Sequence, residues 1–563
     1  MKNIFNYSKY SNLYEIIGII FVFTVLSLIF TGHYQGIFTD VGREMIIPEG
    51  ILKGKVLYKD ILCIYSPLAY LMNALGFKIF GINIFTLEFL GSVNACFFAI
   101  IFYFLSKEFF SRQFAAILTF TVIITCILGS GLFNFILPYS YSMSYGLTAY
   151  LSSVYLAVLY LKNHDIRFIW AAFLLGGYAF ACKTEFLPIF FILFAVTLFF
   201  KPLNLKQNFV NLFLFLFVPL LTLIVLFRQG VTIKDLISAT EFMKTFFTTP
   251  SMIFHITRSG GLFGIQTLLL YKTAILNVII AFLSIYVCYF VSKKFKPFLF
   301  VSPILLAYIF NKTAITFHLI FLPILLTLFS LVKIKIIIKN PTLAIVVAAS
   351  IGVSLRTFFA LQISVYGSYA IPLLLIGLFA LLKEFSPSIK PFSKEEMKNL
   401  YVYCLCTYSL FFIIFNVNNL FKYNLPIKTD KGTIFSQQNQ TKTCNIILDY
   451  LDKYTKPEDK VLVLPEGTVI NFLSGRPVDY KMHMVDRLYY DALGSEKVLE
   501  NIKDAKYEVI IFLEGFGLTK FGSGYLYDES NPIVQYVKNN YVLYMKIVDE
   551  KSILHLYQKP PEK

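Results

Sequence analysis

Two acidic side chains with a basic one between them form the part of the sequence best suited to chemistry. In the segment TDVGREMIIPEGILKGKVLYKD (39–60), Asp40 and Glu44 are four residues apart, and Arg43 stands beside them. On a helix that begins near Val41, the two carboxylates would share one face. Such acids, held beside basic residues at a lipid–water boundary, form a site for handling an anionic lipid headgroup. In the simpler interpretation, Asp40 caps that helix and the rest is a solvated face.

The composition around this segment is that of a membrane protein. Of 563 residues, 57% are hydrophobic and 15% charged, and the mean hydropathy is +0.68, whereas soluble proteins carry about 25% charged residues. Residues 420–563 contain 19 basic and 19 acidic residues, so the net charge of +17 lies in the first 419, which hold 31 basic and 14 acidic residues. Basic residues between long apolar runs fix membrane orientation, and nucleic acid is therefore not needed as a partner to explain the charge.

Apolar runs long enough to cross a bilayer predict about thirteen spans. They lie near 14–32, 84–105, 113–130, 142–161, 167–182, 185–200, 208–227, 265–291, 297–311, 314–332, 341–355, 367–382 and 399–416. Basic residues fall on every second connection, so those connections and the amino end are predicted to be cytoplasmic. An odd number of spans places everything after about residue 417 outside. The chain is thus expected to be a multipass protein of the cell (cytoplasmic or inner) membrane.

The predicted fold class is a polytopic α-helical membrane protein with a small external α/β domain at its carboxyl end. Residues 1–419 form the transmembrane domain, with long external loops at 33–83 and 228–264, and residues 420–563 form the external domain. We expect this external domain to cover or guide an acceptor.

Apolar strands alternate with helical patterns in the external domain, which is typical of an α/β layer. The predicted elements are strands at 460–465 and 507–513, an antiparallel pair at 541–548 and 552–557, and helices at 444–454 and near 495–504 and 531–540.

The first external loop carries a longer pattern that other segments extend. Asp40 follows the first span, an acid comes a few residues later, and G-x-x-x-Y-x-D … S-P-L … F-G precedes the second span. Further pieces are FNFILPYSYSMSYG (133–146), GGYAFACKTEF (176–186), SLRTFF … VYGSYAIPLLL (354–375) and FLSGRP (472–477). Together these segments resemble the GT-C membrane glycosyltransferases, in the branch related to protein O-mannosyltransferases and to the lipid A aminoarabinose transferase.

The resemblance implies a GT-C-like enzyme that transfers a sugar, hexosyl or pentosyl, from a polyprenyl-phosphate donor to an external acceptor with inversion. It makes Asp40 the expected general base. Glu44 is grouped with Asp40 as a catalytic residue that would orient it, and Glu185 is the expected second acid. A carboxylate within hydrogen-bond reach can take the proton that the attacking hydroxyl loses. The leaving phosphate gains charge, which Arg or Lys donors would stabilise.

The remaining site residues are expectations of the same resemblance. Donor phosphate binding is expected from Arg43, Lys183, Arg356 or Arg258, and support from Asp60, Glu185, Tyr366 and Asn134. The lipid A branch has a lysine just before the proline that opens the interfacial helix, where this chain has Tyr65 and Ser66 before Pro67. No cofactor is required, but Asp40, Glu44 and Glu185 could hold a divalent cation through their oxygens.

Two other functions fit a membrane protein of this kind. A transporter or flippase of lipid-linked sugars tends to place charges within its spans and to show inverted repeats. Here the spans are nearly free of charge, with Glu88 as an exception, and the acids gather in the external loops. A polysaccharide polymerase or ligase would use the same donor and stays open. The sequence does not specify the sugar, the polyprenol or the acceptor, which could be protein, lipid or glycan.

Overall fold

The computed structural model describes residues 2–34, 36–129, 134–254, 265–295, 297–312, 322–359, 363–385, 393–514, 528–549 and 552–561. Helices make up most of the chain as far as Lys422, and a small mixed sheet with further helices follows.

Helices lie at the position of every predicted span. The amino-terminal set is α1 (Lys2–Phe30), α2 (Val41–Leu52), α3 (Leu68–Phe80), α4 (Ile84–Lys107), α5 (Arg112–Val122), α6 (Tyr141–Asn163), α7 (Ile166–Cys182), α8 (Pro188–Ala195) and α9 (Leu205–Arg228). The second set is α10 (Ile233–Thr248), α11 (Pro250–Phe254), α12 (Ile265–Lys294), α13 (Phe298–Lys312), α14 (Leu322–Val332), α15 (Ile334–Lys339), α16 (Pro341–Phe359), α17 (Ile363–Phe385) and α18 (Lys394–Lys422). Single π-helical turns extend α5 and α8.

In the described residues, five helices are long and apolar enough to cross a membrane, and eight further apolar helices are shorter. The helical membrane-type fold is therefore confirmed, while the count of thirteen spans stays a prediction.

Helix α6 is the most enclosed of the long apolar helices, with 78% of its most apolar stretch buried. Its polar side chains are used for helix contacts, since Tyr150 donates to the Ala349 carbonyl of α16 at 3.0 Å and Ser153 donates to the Ala172 carbonyl of α7 at 2.8 Å. Hydrogen bonds of this kind join helices where no water is at hand. These bonds hold α6 against α7 and α16, and at its amino end the Tyr141 nitrogen donates to Glu44 of the first long loop at 3.0 Å.

The carboxyl-terminal unit is built on two small sheets. Its elements are β1 (Leu425–Thr429), β2 (Gly432–Ser436), α19 (Gln438–Tyr454), β3 (Val461–Leu464), α20 (Val469–Ser474), α21 (Arg487–Leu493), α22 (Ser495–Ala505), β4 (Val509–Glu514), α23 (Pro532–Asn540), β5 (Val542–Asp549) and β6 (Ser552–Gln558). β1 and β2 form a hairpin, and the larger sheet has the order β3-β4-β6-β5. β3 and β4 are parallel, and β5 and β6 are antiparallel. The predicted strands and closing antiparallel pair are confirmed, and α19, α22 and α23 lie at the predicted helices.

One hydrophobic core connects the first long loop with the carboxyl-terminal unit. Val41 and Ile46 of α2 lie in the same buried cluster as Val469 and Phe472 of α20. The approach is close at Gly42, where an added Cβ would lie 2.3 Å from the backbone nitrogen of Val469. The predicted boundary at residue 420 stays a prediction, but the two sides of it share buried apolar surface.

We expect Gly42→Ala to destabilise the protein, because the atoms that the new methyl group meets are mainly backbone atoms of α20 and cannot rotate away. Overpacking of this kind costs about 1–3 kcal/mol. Thermal unfolding of the purified protein in detergent should show a lower melting temperature. Gly18→Ala in α1 is the matched control, since its Cβ would have nothing within 4 Å. An equal melting temperature for both variants would show that α2 and α20 do not approach this closely.

Candidate active site at the junction of the first loop and the carboxyl-terminal unit

Asp40 stands immediately before α2 with a backbone φ of 45°. Within the described residues its side chain makes no cap hydrogen bond to that helix. Instead, one carboxylate oxygen accepts a 2.7 Å hydrogen bond from the Arg43 guanidinium. The side chain keeps 29% of its surface exposed. A partly accessible carboxylate with an orienting cation can accept a proton from a bound group.

Arg43 holds this carboxylate from a buried position, with 2% of its side chain exposed. It also donates to the Tyr139 carbonyl at 2.7 Å, and its guanidinium carbon lies 4.4 Å from the centre of the Tyr65 ring. A planar guanidinium suits this combination of ion pair, carbonyl bond and ring stacking. Arg43 therefore fixes the orientation of Asp40 and leaves little freedom for either group.

Glu44 is buried and already occupied. Its oxygens accept hydrogen bonds from the Tyr70 hydroxyl at 2.9 Å and from the Tyr141 backbone nitrogen at 3.0 Å, and Arg43 is 3.3 Å away. Burial raises the pKa of Glu44, although these partners favour the charged form. Since Tyr141 begins α6, the carboxylate also faces the positive end of that helix. The geometry suits a positioning role that ties α2 to α6.

The helical spacing that relates Asp40 to Glu44 in the sequence does not hold, because Asp40 lies outside α2 in a left-handed backbone conformation. The two acids meet through Arg43, which contacts both. Of these three described side chains, Arg43 and Glu44 are buried and Asp40 is partly exposed.

Lys183 brings a second buried cation to the same place. Its ammonium donates to the Tyr139 hydroxyl at 3.1 Å and lies 3.3 Å from the Glu185 carboxylate. The same ammonium is 5.9 Å from the centre of the Tyr65 ring, which Arg43 also covers. Arg43 and Lys183 thus converge on one pair of tyrosines, although the two residues are far apart in the sequence.

Asn134 and Asp60 stabilise loops that carry these tyrosines. The Asn134 amide oxygen accepts hydrogen bonds from the backbone nitrogens of Ile136 and Leu137 at 2.8 and 2.7 Å. Asp60 accepts from the Val56 nitrogen at 2.9 Å. Both side chains therefore hold the backbone of their own loops in place and support the site indirectly.

Three of the expected residues cannot be placed. Arg258 lies outside the described residues, and only the backbone is described for Arg356 in α16 and Tyr366 in α17. Their proposed roles remain predictions.

The carboxyl-terminal unit adds acids that the sequence analysis did not identify. The Glu466 carboxylate accepts a hydrogen bond from the Asp40 backbone nitrogen, and Glu466 is buried. Burial, and then the charges of Asp40 and Asp486, raise the pKa of Glu466 well above its ordinary value. The Val485 nitrogen donates to the Pro465 carbonyl at 2.8 Å, which sets the segments of Glu466 and Asp486 side by side.

Asp486 caps α21 by accepting a 2.9 Å hydrogen bond from the Tyr489 nitrogen. Burial raises its pKa to about 6, with the charge of Asp40 adding to the effect. A helix of the second long loop covers this corner, since Phe242 and Phe246 of α10 contact the Tyr489 ring with centroids 6.0 and 5.0 Å apart.

We expect Asp486→Asn to raise the melting temperature at pH 7. The folded-state pKa of Asp486 lies above the ordinary 3.8, so folding takes up a proton between these values and the stability contributed by this group falls as pH rises through about 6. Asparagine keeps the helix cap without the charge. The difference in melting temperature between the variant and the parent should be larger at pH 7 than at pH 4. A difference that does not change with pH would contradict this environment for Asp486.

Metal ligation finds no support in the described residues, where no group of three His, Cys, Asp or Glu side chains is placed to hold an ion. Glu44, one of the three acids considered for a cation, has its oxygens bound by Tyr70, Tyr141 and Arg43. A divalent cation therefore stays an untested expectation.

Comparison with known proteins identifies the fold. No protein-family model matches the chain, and no curated protein sequence matches it. Solved structures do match. ArnT from Cupriavidus metallidurans, bound to undecaprenyl phosphate, has a TM-score of 0.52 at 10% identity, covering 96% of this chain and 97% of that one. Its apo state has a TM-score of 0.53 at 10% identity, over 98% of both chains.

The oligosaccharyltransferase of Archaeoglobus fulgidus, in complex with zinc and sulfate, has a TM-score of 0.50 at 11% identity, covering 95% of this chain and 72% of that one. Both are GT-C fold glycosyltransferases. The chain therefore has the GT-C fold, as the sequence pattern predicted. At this level of identity the likeness concerns the fold and leaves the activity to be argued from the site.

Proposed function

We propose that the protein is an integral-membrane glycosyltransferase that moves a sugar from a polyprenyl-phosphate donor to an acceptor on the external face of the cell membrane. The observation that carries the proposal is the arrangement around Asp40. A partly exposed carboxylate is held by a buried arginine, and a buried lysine reaches the same two tyrosines. The GT-C fold of ArnT, which was solved with undecaprenyl phosphate, supports the choice of donor.

The reaction follows from these groups. The acceptor hydroxyl or amine attacks the anomeric carbon of the donor sugar while Asp40 takes its proton. The bond between the anomeric carbon and the phosphate oxygen breaks at the same time, and polyprenyl phosphate leaves with the electron pair. A single displacement inverts the anomeric configuration. Because the leaving phosphate is already a weak base, no second carboxylic acid has to protonate it, unlike in glycoside hydrolases.

Lys183 is the described cation best placed to meet the phosphate. An apolar groove of about 510 Å³ lies between α8 and α16, and Leu187 and Pro188 at its wall follow Lys183 closely in the chain. Leu355, beside Arg356, lines the same groove. A lipid-linked donor needs a charged end and an apolar path next to each other, and this part of the molecule offers both. We propose that the donor phosphate binds at Lys183 with its polyprenyl chain along the groove.

The proposal also covers the transferred sugar, the orientation in the membrane and the acceptor. The transferred group is a hexosyl or pentosyl unit, the amino end is cytoplasmic, and the carboxyl-terminal unit faces the outside. The alternation of basic connections supports this orientation. A protein, a lipid or a glycan would each supply a suitable acceptor hydroxyl or amine.

A flippase of lipid-linked sugars is the alternative from another class. The acid within α4, Glu88, accepts a 2.8 Å hydrogen bond from Tyr34 and so has a local partner. This contact favours a structural role for Glu88 over a role in a transport pathway. A polysaccharide polymerase or ligase shares the donor and differs from the transferase only in its acceptor.

Reconstitution in vesicles separates the two classes. A transferase should release polyprenyl phosphate from a polyprenyl-phosphate sugar without moving the intact donor across the bilayer. Transbilayer movement of intact donor, with no release of polyprenyl phosphate, would overturn the proposed function in favour of a flippase.

A further inference from the structure

A segment of the carboxyl-terminal unit contacts the first long loop at Leu62 and Gly50. The Leu62 nitrogen of that loop donates to the Tyr480 carbonyl at 3.1 Å. The Tyr480 ring lies against Gly50 of α2, where an added Cβ would come within 2.6 Å of it. The segment 480–485 is thus held at both ends. Tyr480 is bonded to Leu62 of the first long loop, and Val485 is bonded to Pro465.

His483 lies within this segment, with 2% of its surface exposed. Its Nδ1 is 2.8 Å from the Tyr480 carbonyl oxygen. A carbonyl only accepts hydrogen bonds, so Nδ1 carries the proton and Nε2 presents a lone pair. Among the described residues, Nε2 is buried and has no hydrogen-bond partner.

The protonation state of His483 is set by its surroundings. Burial lowers the pKa of the imidazole to about 4, and the positive charge of Arg43 adds to this effect. The ring is therefore neutral at physiological pH, and its Nε2 lone pair is able to accept a hydrogen bond. The segment of His483 is joined to the site through Val485, whose nitrogen donates to the Pro465 carbonyl next to Glu466, the residue that binds the Asp40 backbone.

We propose that His483 Nε2 accepts a hydrogen bond from a hydroxyl or amine of the acceptor and so positions the acceptor for Asp40. Buried polar atoms without a partner are rare in folded proteins and call for an explanation such as a ligand. A neutral acceptor atom selects O–H and N–H donors, which are the groups that the proposed reaction consumes. The inference rests on the proposed function and adds the carboxyl-terminal unit to the binding of acceptor.

Two further features favour the acceptor over the donor sugar as the source of this hydroxyl. The cation and apolar groove suited to the donor involve Lys183, α8 and α16. His483 instead belongs to the unit that also supplies Glu466, whose carboxylate binds the Asp40 backbone. Asp40 thus stands between the parts of the molecule assigned to donor and acceptor.

Two isosteric substitutions separate binding from structure. In His483→Asn, the side-chain amide can replace Nδ1 as donor to the Tyr480 carbonyl but offers nothing at the position of Nε2. In His483→Gln, the amide reaches the position of Nε2 and supplies an acceptor oxygen there, but loses the bond to Tyr480. If His483 binds the acceptor, His483→Asn should weaken acceptor binding more than His483→Gln does. If His483 only holds its segment in place, His483→Gln should be the more damaging of the two variants.

The experiment uses the full-length protein in detergent, a saturating polyprenyl-phosphate sugar and a diluted cell-envelope extract as the source of acceptor. Loss of one hydrogen bond should raise the apparent acceptor KM of His483→Asn roughly tenfold, with the donor KM and melting temperature unchanged, and His483→Gln should recover most of the affinity. A parental acceptor KM in His483→Asn would overturn the inference and leave the proposed function intact. A raised donor KM instead would assign the hydroxyl to the donor sugar and also overturn it. An inactive parent would count against the proposed function itself.

Discussion

Asp40→Asn is expected to lower turnover by a factor of about 10² to 10⁴, the usual contribution of a general base. Asparagine keeps the shape of the side chain and can still accept a hydrogen bond from Arg43, but it cannot take a proton from the acceptor. Folding and donor binding should therefore persist. Initial rates at saturating donor and acceptor, measured beside the melting temperature, check both parts of this expectation.

Asp60→Asn is the matched control. Asp60 belongs to the same long loop and accepts from the Val56 backbone nitrogen, and asparagine can keep this supporting contact through its side-chain oxygen. The Asp60→Asn variant should keep near-parental turnover. Glu44→Gln should have a milder effect than Asp40→Asn, since Glu44 acts through Arg43 and α6. An Asp40→Asn protein with parental turnover would restrict Asp40 to a structural contact with Arg43 just before α2.

Lys183→Met should weaken the binding of undecaprenyl phosphate, with a smaller effect on turnover at saturating donor. A hydrogen bond to a charged group contributes about 1.5–3 kcal/mol, which corresponds to an increase in Kd of roughly 10- to 100-fold. Equilibrium binding in detergent micelles gives this Kd directly.

The control for this prediction is Lys59→Met. Lys59 is exposed, and its ammonium reaches the Gly230 carbonyl at 3.4 Å. The Lys59→Met substitution also removes one positive charge, here from the first long loop, and should leave the Kd for undecaprenyl phosphate unchanged. Equal affinity of Lys183→Met and the parent would restrict Lys183 to its ion pair with Glu185.

The helical part of the fold could be predicted because apolar runs and basic connections are local properties of the sequence. The same holds for β5 and β6, whose apolar runs stand on either side of Asp549-Glu550-Lys551 in the sequence. The number of spans could not be derived in the same way. Several of the described apolar helices are shorter than a bilayer requires, such as α5 with its π-helical turn at Arg112–Ile127, so length alone does not decide whether they cross.

The candidate site could be predicted only where its residues are close in sequence or match the GT-C pattern. Asp40, Arg43 and Lys183 were found in this way. Glu466 contacts Asp40 across 426 positions, and no local pattern relates the two. The segment FLSGRP (472–477) was the one part of the carboxyl-terminal unit that the resemblance to the GT-C enzymes had marked. Its Arg476 donates to the Leu451 carbonyl at 2.8 Å and so caps α19, which stabilises the unit that carries Glu466.

The central claim is tested most directly by the release of polyprenyl phosphate from purified protein in detergent micelles. A panel of radiolabelled polyprenyl-phosphate sugars is supplied one at a time with a cell-envelope extract, and the parent is compared with Asp40→Asn and Asp60→Asn. We predict that at least one donor is consumed with transfer of its label to the extract, that Asp60→Asn behaves as the parent, and that Asp40→Asn is nearly inactive. Consumption of no donor by the parent, or equal consumption by Asp40→Asn, would contradict a glycosyltransferase centred on Asp40.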